Sequence, residues 1–183
     1  MKLRRETLDD LKRSALTHQH AEKMMIKDVA PEQMCAIYNR ALEKTDSLRI
    51  NKGFHVPAYE IPYFDLDGNP NGFARYRLMG DYVPKGAKKS IKYLQLPNTK
   101  PQFYLPPFCN WQVIAADPTV AVYFVEGEKK AAALSILGFP AIGLGGVWSW
   151  RSRESDDTSD LISDFNLFDW RNRKTVIVFD ADV

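Results

Sequence analysis

Val120-Ala-Val-Tyr-Phe-Val125 runs into Glu126-Gly127-Glu128-Lys129-Lys130, and Thr175-Val-Ile-Val-Phe179 runs into Asp180-Ala181-Asp182. These two stretches decide the fold. Each opens on a short apolar run rich in β-branched and aromatic residues, the composition of a strand buried on both faces. Each ends in carboxylates. Between them the pattern predicts a helix over 128–137 closed by Gly138, a strand over 141–144 and a short helix near 160–165. Strands alternating with helices imply parallel pairing through crossover connections. In an open parallel sheet, ligands bind in the crevice at the carboxyl ends of the strands. Glu126, Asp180 and Asp182 are therefore aimed at one place, as in a site that holds Mg²⁺ for phosphoryl chemistry.

Each acid also has a plainer reading. A carboxylate just before a helix stabilises the helix N-terminus, which accounts for Glu126, and Glu128 can be a simple first-turn acid. Aspartates at strand ends often cap loops. Against this, residues two apart in a strand share a face, so Asp180 and Asp182 repel one another unless a cation sits between them. The two motifs together favour metal binding more than either does alone.

Composition sets outer bounds. A chain of 183 residues, 45% apolar and 12% aromatic, can bury a core and fits one domain or one domain with an appendage. A formal net charge of +2 excludes a strongly basic nucleic-acid coat but leaves room for local basic patches. Cys35 and Cys109 form no CxxC, no zinc ribbon and no disulfide framework, so reduced intracellular thiols are expected. The opening Met1-Lys-Leu-Arg-Arg-Glu-Thr7 is charged, unlike a signal peptide, and no apolar run is long enough to span a bilayer. The expectation is a cytoplasmic protein with no membrane partner.

Upstream, residues 1–50 read as a helical segment. Leu8, Leu11, Ala15 and Leu16 recur at helical spacing behind a Thr7/Asp10 cap; Thr17 caps a second helix, and Pro31 starts a third carrying Met34, Ile37, Tyr38 and Leu42. Residues 51–118 read as a β-rich subdomain. Runs over 59–64 and 73–78 flank the turn dipeptide Asp67-Gly68, and short strands follow at 91–96 and 103–105. Pro97, Pro101, Pro106 and Pro107 argue for edge strands and loops rather than helix there. The three histidines are scattered, and Gly143-Leu-Gly-Gly146 is too short for a nucleotide-binding fingerprint. Trp148 and Trp150 either anchor a loop on the core or stack on a base.

An apolar strand ending in Glu-Gly before a helix, then an apolar strand ending in Asp-x-Asp, resembles the TOPRIM domain of primases, topoisomerases and some nucleases. Val125-Glu-Gly-Glu-Lys-Lys-Ala131, with Gly138-Phe-Pro-Ala-Ile-Gly-Leu-Gly-Gly-Val-Trp-Ser-Trp150, is more closely similar to TOPRIM proteins of phages, plasmids and other mobile elements, of the DUF3854-like type. Ile61-Pro-Tyr-Phe-Asp-Leu-Asp-Gly-Asn-Pro-Asn-Gly-Phe-Ala-Arg75 and Lys92-Tyr-Leu-Gln-Leu-Pro97 resemble the polymerase core of bacterial DnaG-type primases. The fold class implied is α/β (α+β overall). It has a helical N-terminus, a small antiparallel middle, and a Rossmann-like parallel TOPRIM sheet over 119–183.

The resemblance implies a primase-type nucleotidyltransferase that uses Mg²⁺ (or Mn²⁺) and no zinc on a single-stranded DNA template with NTPs, with a replicative helicase as a further partner. Glu126, Asp180 and Asp182 would be its catalytic and metal-binding acids. Arg75, Arg77, Lys92 and Lys129 would contact nucleic acid or the incoming nucleotide, although Arg75 and Arg77 can equally be a solvated hairpin face. The resemblance also implies a further helix and strand after residue 183, so the TOPRIM domain is read as incomplete and the isolated chain as an incomplete enzyme. A TOPRIM nuclease and a non-catalytic DNA-binding or helicase-recruiting module are the rival readings.

Overall fold

A computed structural model describes residues 2–42, 55–83, 88–152 and 161–180. The chain forms two compact units that interleave in sequence. The first comprises Met1–Arg13, Thr17–Pro62 and Phe73–Thr99; the second comprises Ser14–Leu16, Tyr63–Gly72 and Lys100–Val183.

The first unit holds helices α1 (Arg5–Lys12), α2 (His18–Lys23) and α3 (Pro31–Leu42), strands β1 (Lys27–Val29) and β4 (Tyr93–Gln95), and most of β2 (Ala58–Phe64) and β3 (Pro70–Leu78), whose connecting hairpin tip over Tyr63–Gly72 belongs to the second unit. The strands form one sheet in the order β1-β2-β3-β4. Its core gathers Val29, Met34, Ala58, Tyr76, Leu78 and Leu94. The hairpin expected around Asp67-Gly68 is present. Asp65 ties it, accepting at Oδ1 from the backbone N–H of Asp67 (3.0 Å) and Asn69 (2.9 Å), with Gly68 at φ +80°.

Two expectations for this segment are revised. Residues before Pro31 are not all helical: Met25 at φ +55° ends α2, and Lys27–Val29 pairs antiparallel with β2. Three residues carry too little periodicity to announce a strand, and pairing with β2 settles it. Thr7 and Asp10 do not cap α1, whose N-cap is Arg4 with no side-chain capping bond. Both point inward instead. Thr7 donates to Asp28 (2.6 Å), and Asp10 accepts from the Tyr59 hydroxyl (2.7 Å). The Thr17 cap is found as expected, its hydroxyl accepting from the backbone of His20 while His20 Nδ1 accepts in return.

In the second unit, strands β5 (Val122–Glu126), β6 (Ala141–Leu144) and β7 (Thr175–Val178) form a three-stranded parallel sheet in the order β6-β5-β7. Helix α5 (Glu128–Ile136) joins β5 to β6 and buries Ala131, Ala132 and Ser135. The short helix expected before the last strand is a 3₁₀ turn over Ser163–Leu167. A further helix, α4 (Trp111–Ala116), stands where prolines argued for loops. Pro106 and Pro107 lie ahead of it. Asn110 caps it, accepting from the Val113 N–H, and Trp111 is 1% exposed with its indole N–H on the Pro106 carbonyl (2.8 Å).

Buried Arg173 fixes the approach to β7. It donates to the carbonyls of Ile114, Ala115, Val120 and Asp169, so one guanidinium satisfies the end of α4 and the lead-in to β5 together. Gly143 is the most closely packed of the described glycines. A Cβ there would meet Tyr104 Cβ at 3.1 Å, Ala131 Cβ at 3.2 Å and the Gly127 carbonyl at 3.2 Å. The expected strand over 103–105 is reduced to Tyr104, which bridges Gly143 through two 2.9 Å backbone bonds. Among the described residues, no helix is long and apolar enough to cross a membrane.

Candidate functional site

Glu126 closes β5, the central strand, and Asp180 follows β7, its parallel neighbour. The register pairs Val125 with Val178, so both carboxylates emerge at the same carboxyl edge of the sheet. The register thus brings two of the three acids to one edge of the sheet. After Glu126 the chain turns through Gly127 at φ +94° and ψ 153°, a conformation open in practice to glycine alone, and its N–H bonds the Leu144 carbonyl (2.8 Å). The turn therefore holds β5, β6 and the start of α5 together beneath Glu126. Asp182, the third acid of the motif, lies outside the described residues.

Lys130 brings a cation to this edge. Its ammonium lies 2.5 Å from both oxygens of Asp180, with 46% and 65% of the two side chains exposed. A lysine so close to a helix N-terminus sits against the helix dipole, so it is Asp180 that favours it there. Lys129, singled out beforehand, is half buried, whereas Lys130 is exposed. The detectable signal was spacing: Lys130 stands four residues after Glu126 and one turn into a helix that begins at the site.

Glu128 is more than a first-turn acid. It is 1% exposed and accepts the Tyr63 hydroxyl at 2.7 Å, while the Tyr63 ring meets Tyr104 edge-on at 5.1 Å. Burial, and then the charge of Glu128, pushes the Tyr104 hydroxyl well above its ordinary pKa, so it stays a neutral phenol. The helix N-terminus favours the Glu128 carboxylate in place. This group braces the turn that presents Glu126. Sequence spacing could not reveal it, because Tyr63 and Tyr104 approach only on folding.

Arg75, Arg77 and Lys92 belong to the first unit. Arg75 and Arg77 share one face of β3, and each guanidinium lies 5.1 Å from the centroid of the Tyr93 ring, while Tyr76 turns into the core. This face is not a solvated one: Arg75 is 9% exposed, and Arg77 donates to Asp10 (3.3 Å) and to the Lys92 carbonyl (3.2 Å). Burial pulls the Arg77 pKa down, but the hydrogen bond and charge of Asp10 outweigh it and raise it. Burial and then the charge of Asp10 raise Tyr59 above its ordinary range. The Lys92 side chain is exposed.

Glu126 and Asp180 offer hard carboxylate oxygens, which suit Mg²⁺ or Mn²⁺. The Lys130 ammonium already marks Asp180 as a position for a cation. Among the described residues no three acidic, histidine or cysteine side chains cluster as a complete metal cage. An incomplete protein cage is what Mg²⁺ ordinarily uses, since it keeps waters and binds through one or two carboxylates together with substrate phosphates.

Comparison with known proteins places this architecture. A family model described as a domain of unknown function (DUF3854) matches residues 110–183. An uncharacterised protein of Picosynechococcus sp. is 30% identical over 96 residues, covering 49% of this chain and 9% of that protein. The solved structure of the DnaG catalytic core matches with a TM-score of 0.59 at 18% identity, over 97% of this chain and 55% of that one. The DnaG primase catalytic domain bound to single-stranded DNA matches with a TM-score of 0.57 at 18% identity, over 97% and 56%. The chain thus spans about half the length of these structures and under a tenth of the curated relative. The fold is like that of about half of the DnaG catalytic core, an antiparallel sheet and a parallel three-stranded sheet with their helices.

Proposed function

We propose that this chain carries the catalytic centre of a primase-type nucleotidyltransferase, which synthesises primers on single-stranded DNA during mobile-element replication. One observation carries the reading. In a fold shared with the DnaG catalytic core, Glu126 and Asp180 leave adjacent parallel strands at the same edge, with a lysine ammonium seated on Asp180. The reaction is attack by a primer 3′-hydroxyl on the α-phosphate of an incoming NTP, with pyrophosphate leaving. Glu126, Asp180 and Asp182 would hold Mg²⁺, which would neutralise charge on the phosphates.

The protein residues then divide the remaining tasks. Glu126 accepts or orients the attacking hydroxyl's proton, and Asp180 and Asp182 fix the metal. Lys129, Lys92 and Arg75 hold phosphates of nucleotide or template, which makes binding salt-dependent. Arg77, tied to Asp10, positions Tyr93 and through it Arg75. A replicative helicase is the expected further partner.

The test is template-directed primer synthesis by the purified protein with Mg²⁺ and NTPs, alongside Glu126→Gln. Metal-dependent product that disappears in the variant supports the reading. Metal-dependent strand nicking without primer would assign the same acids to a nuclease. Template binding with neither activity would leave a recruiting module.

A further inference from the structure

The loop after β6 contains a cation held between two indoles. The Arg151 guanidinium carbon lies 4.6 Å from the Trp148 ring centroid and 4.5 Å from that of Trp150. The two tryptophans have separate fates. Trp150 packs against the core of the second unit, whereas Trp148 is 66% exposed. Backbone bonds fix the layers: Ser149 N–H to the Gly146 carbonyl (2.9 Å), Arg151 N–H to that of Trp148 (3.3 Å) and Ile162 N–H to that of Trp150 (3.1 Å). The result is a stack founded on the core and ending in an indole that water covers.

We propose that Trp148 is a stacking platform for a nucleobase, with Arg151 behind it as the cation that meets the adjoining phosphate. An indole left in water on a stack already ordered has little conformational entropy left to lose when a flat ligand covers it. Arginine beneath the ring lends the platform positive charge, which suits an anionic ligand with a π-face and not a neutral aromatic peptide. Location adds the third argument. The loop leaves β6 at Leu144, the residue paired with Glu126, and four residues of chain reach at most about 14 Å. The platform therefore lies within about 14 Å of Leu144, on the loop that leaves the strand paired with Glu126. This inference rests on the reading of the chain as one that handles nucleotides or single strands.

The experiment measures binding without metal, in EDTA, so that it is separate from catalysis. A labelled oligothymidylate followed by anisotropy and ATP followed by tryptophan quenching report the two possible sources of the base. Wild-type protein is expected to bind one or both, Trp148→Ala to bind that ligand about tenfold more weakly, and Trp148→Phe to stay within about threefold. Arg151→Ala should lower both the affinity and its salt dependence. Unaltered far-UV circular dichroism in Trp148→Ala excludes misfolding. Loss with the oligonucleotide alone assigns the platform to the strand, and loss with ATP alone to the incoming nucleotide. Binding by Trp148→Ala within twofold of wild type for both ligands overturns the proposal. Primer synthesis with that result would leave the catalytic reading standing. Trp148-dependent binding without primer synthesis would keep the platform and sink the catalytic reading.

Discussion

Two acid–cation pairs, one in each unit, set the regions of this molecule apart. In the first, Asp10 faces Arg77 with 5% and 17% of their side chains exposed, and the Tyr59 hydroxyl takes the other carboxylate oxygen. In the second, Asp180 faces Lys130 with 65% and 46% exposed. The chemistry of the two pairs is alike, yet their uses differ. A buried carboxylate with its partners in place can be exchanged for nothing without leaving a charge stranded. An exposed pair gains little net energy, so a metal ion or a phosphate can displace one member at small cost. Burial, not residue type, separates a structural ion pair from one that can serve a ligand.

The contrast can be broken most directly at Asp10. Asp10→Ala strands Arg77 and Tyr59, and a loss of about 3–5 kcal/mol in unfolding free energy is expected by denaturant titration. A loss below about 1 kcal/mol would mean that this pair, too, is dispensable. Glu126→Gln tests the opposite side. Metal-dependent turnover should fall at least about 100-fold, near 2.7 kcal/mol of transition-state stabilisation, with the thermal midpoint within about 2 °C of wild type. A destabilised variant would return Glu126 to the fold.

Lys130→Ala sharpens the comparison on a smaller scale. Stability should change by less than about 1 kcal/mol, while Mn²⁺ affinity measured by calorimetry or paramagnetic resonance rises about fivefold as a competing charge is removed. Weaker Mn²⁺ binding would show that Lys130 supports the site and does not merely fill it. The smallest effect belongs to Asp169. Hydrogen bonds from the exposed Arg171 hold its carboxyl at about 2, below the ordinary 3.8. A depressed acid contributes stability above its unfolded value and loses it as pH falls through the folded one. The difference between wild type and Arg171→Ala should thus be present at neutral pH and vanish between pH 3.8 and about 2 in acid unfolding curves.

Much of the second unit was readable along the chain. Val122–Glu126 and Ala141–Leu144 are strands where apolar runs predict them, and Gly138 at φ +87° closes α5 where a glycine stop is expected; Thr175–Val178 is a strand too, but not the buried one its composition implies, since Ile177 is 69% and Val178 44% exposed. The misreadings fall where local signals were satisfied by distant groups. Thr7 and Asp10 carried the residue types of a helix cap, but Asp28, Tyr59 and Arg77 claimed them. Pro106 and Pro107 suggested loops throughout, yet the buried Trp111 and the Asn110 cap start a helix a few residues later.

The candidate site divides along the same line. Sequence by itself determined that acids follow apolar strands at Glu126 and Asp180, because strand composition and the Glu-Gly turn are local properties. Only tertiary structure decided that β7 pairs beside β5, that Lys130 meets Asp180, and that Glu128 is buried against Tyr63. It also parted Trp148 from Trp150, one facing water and one the core. Those outcomes depend on which residues, remote in sequence, exclude water from one another. A strand's composition is written in five residues; its neighbours are set by the packing of the whole unit.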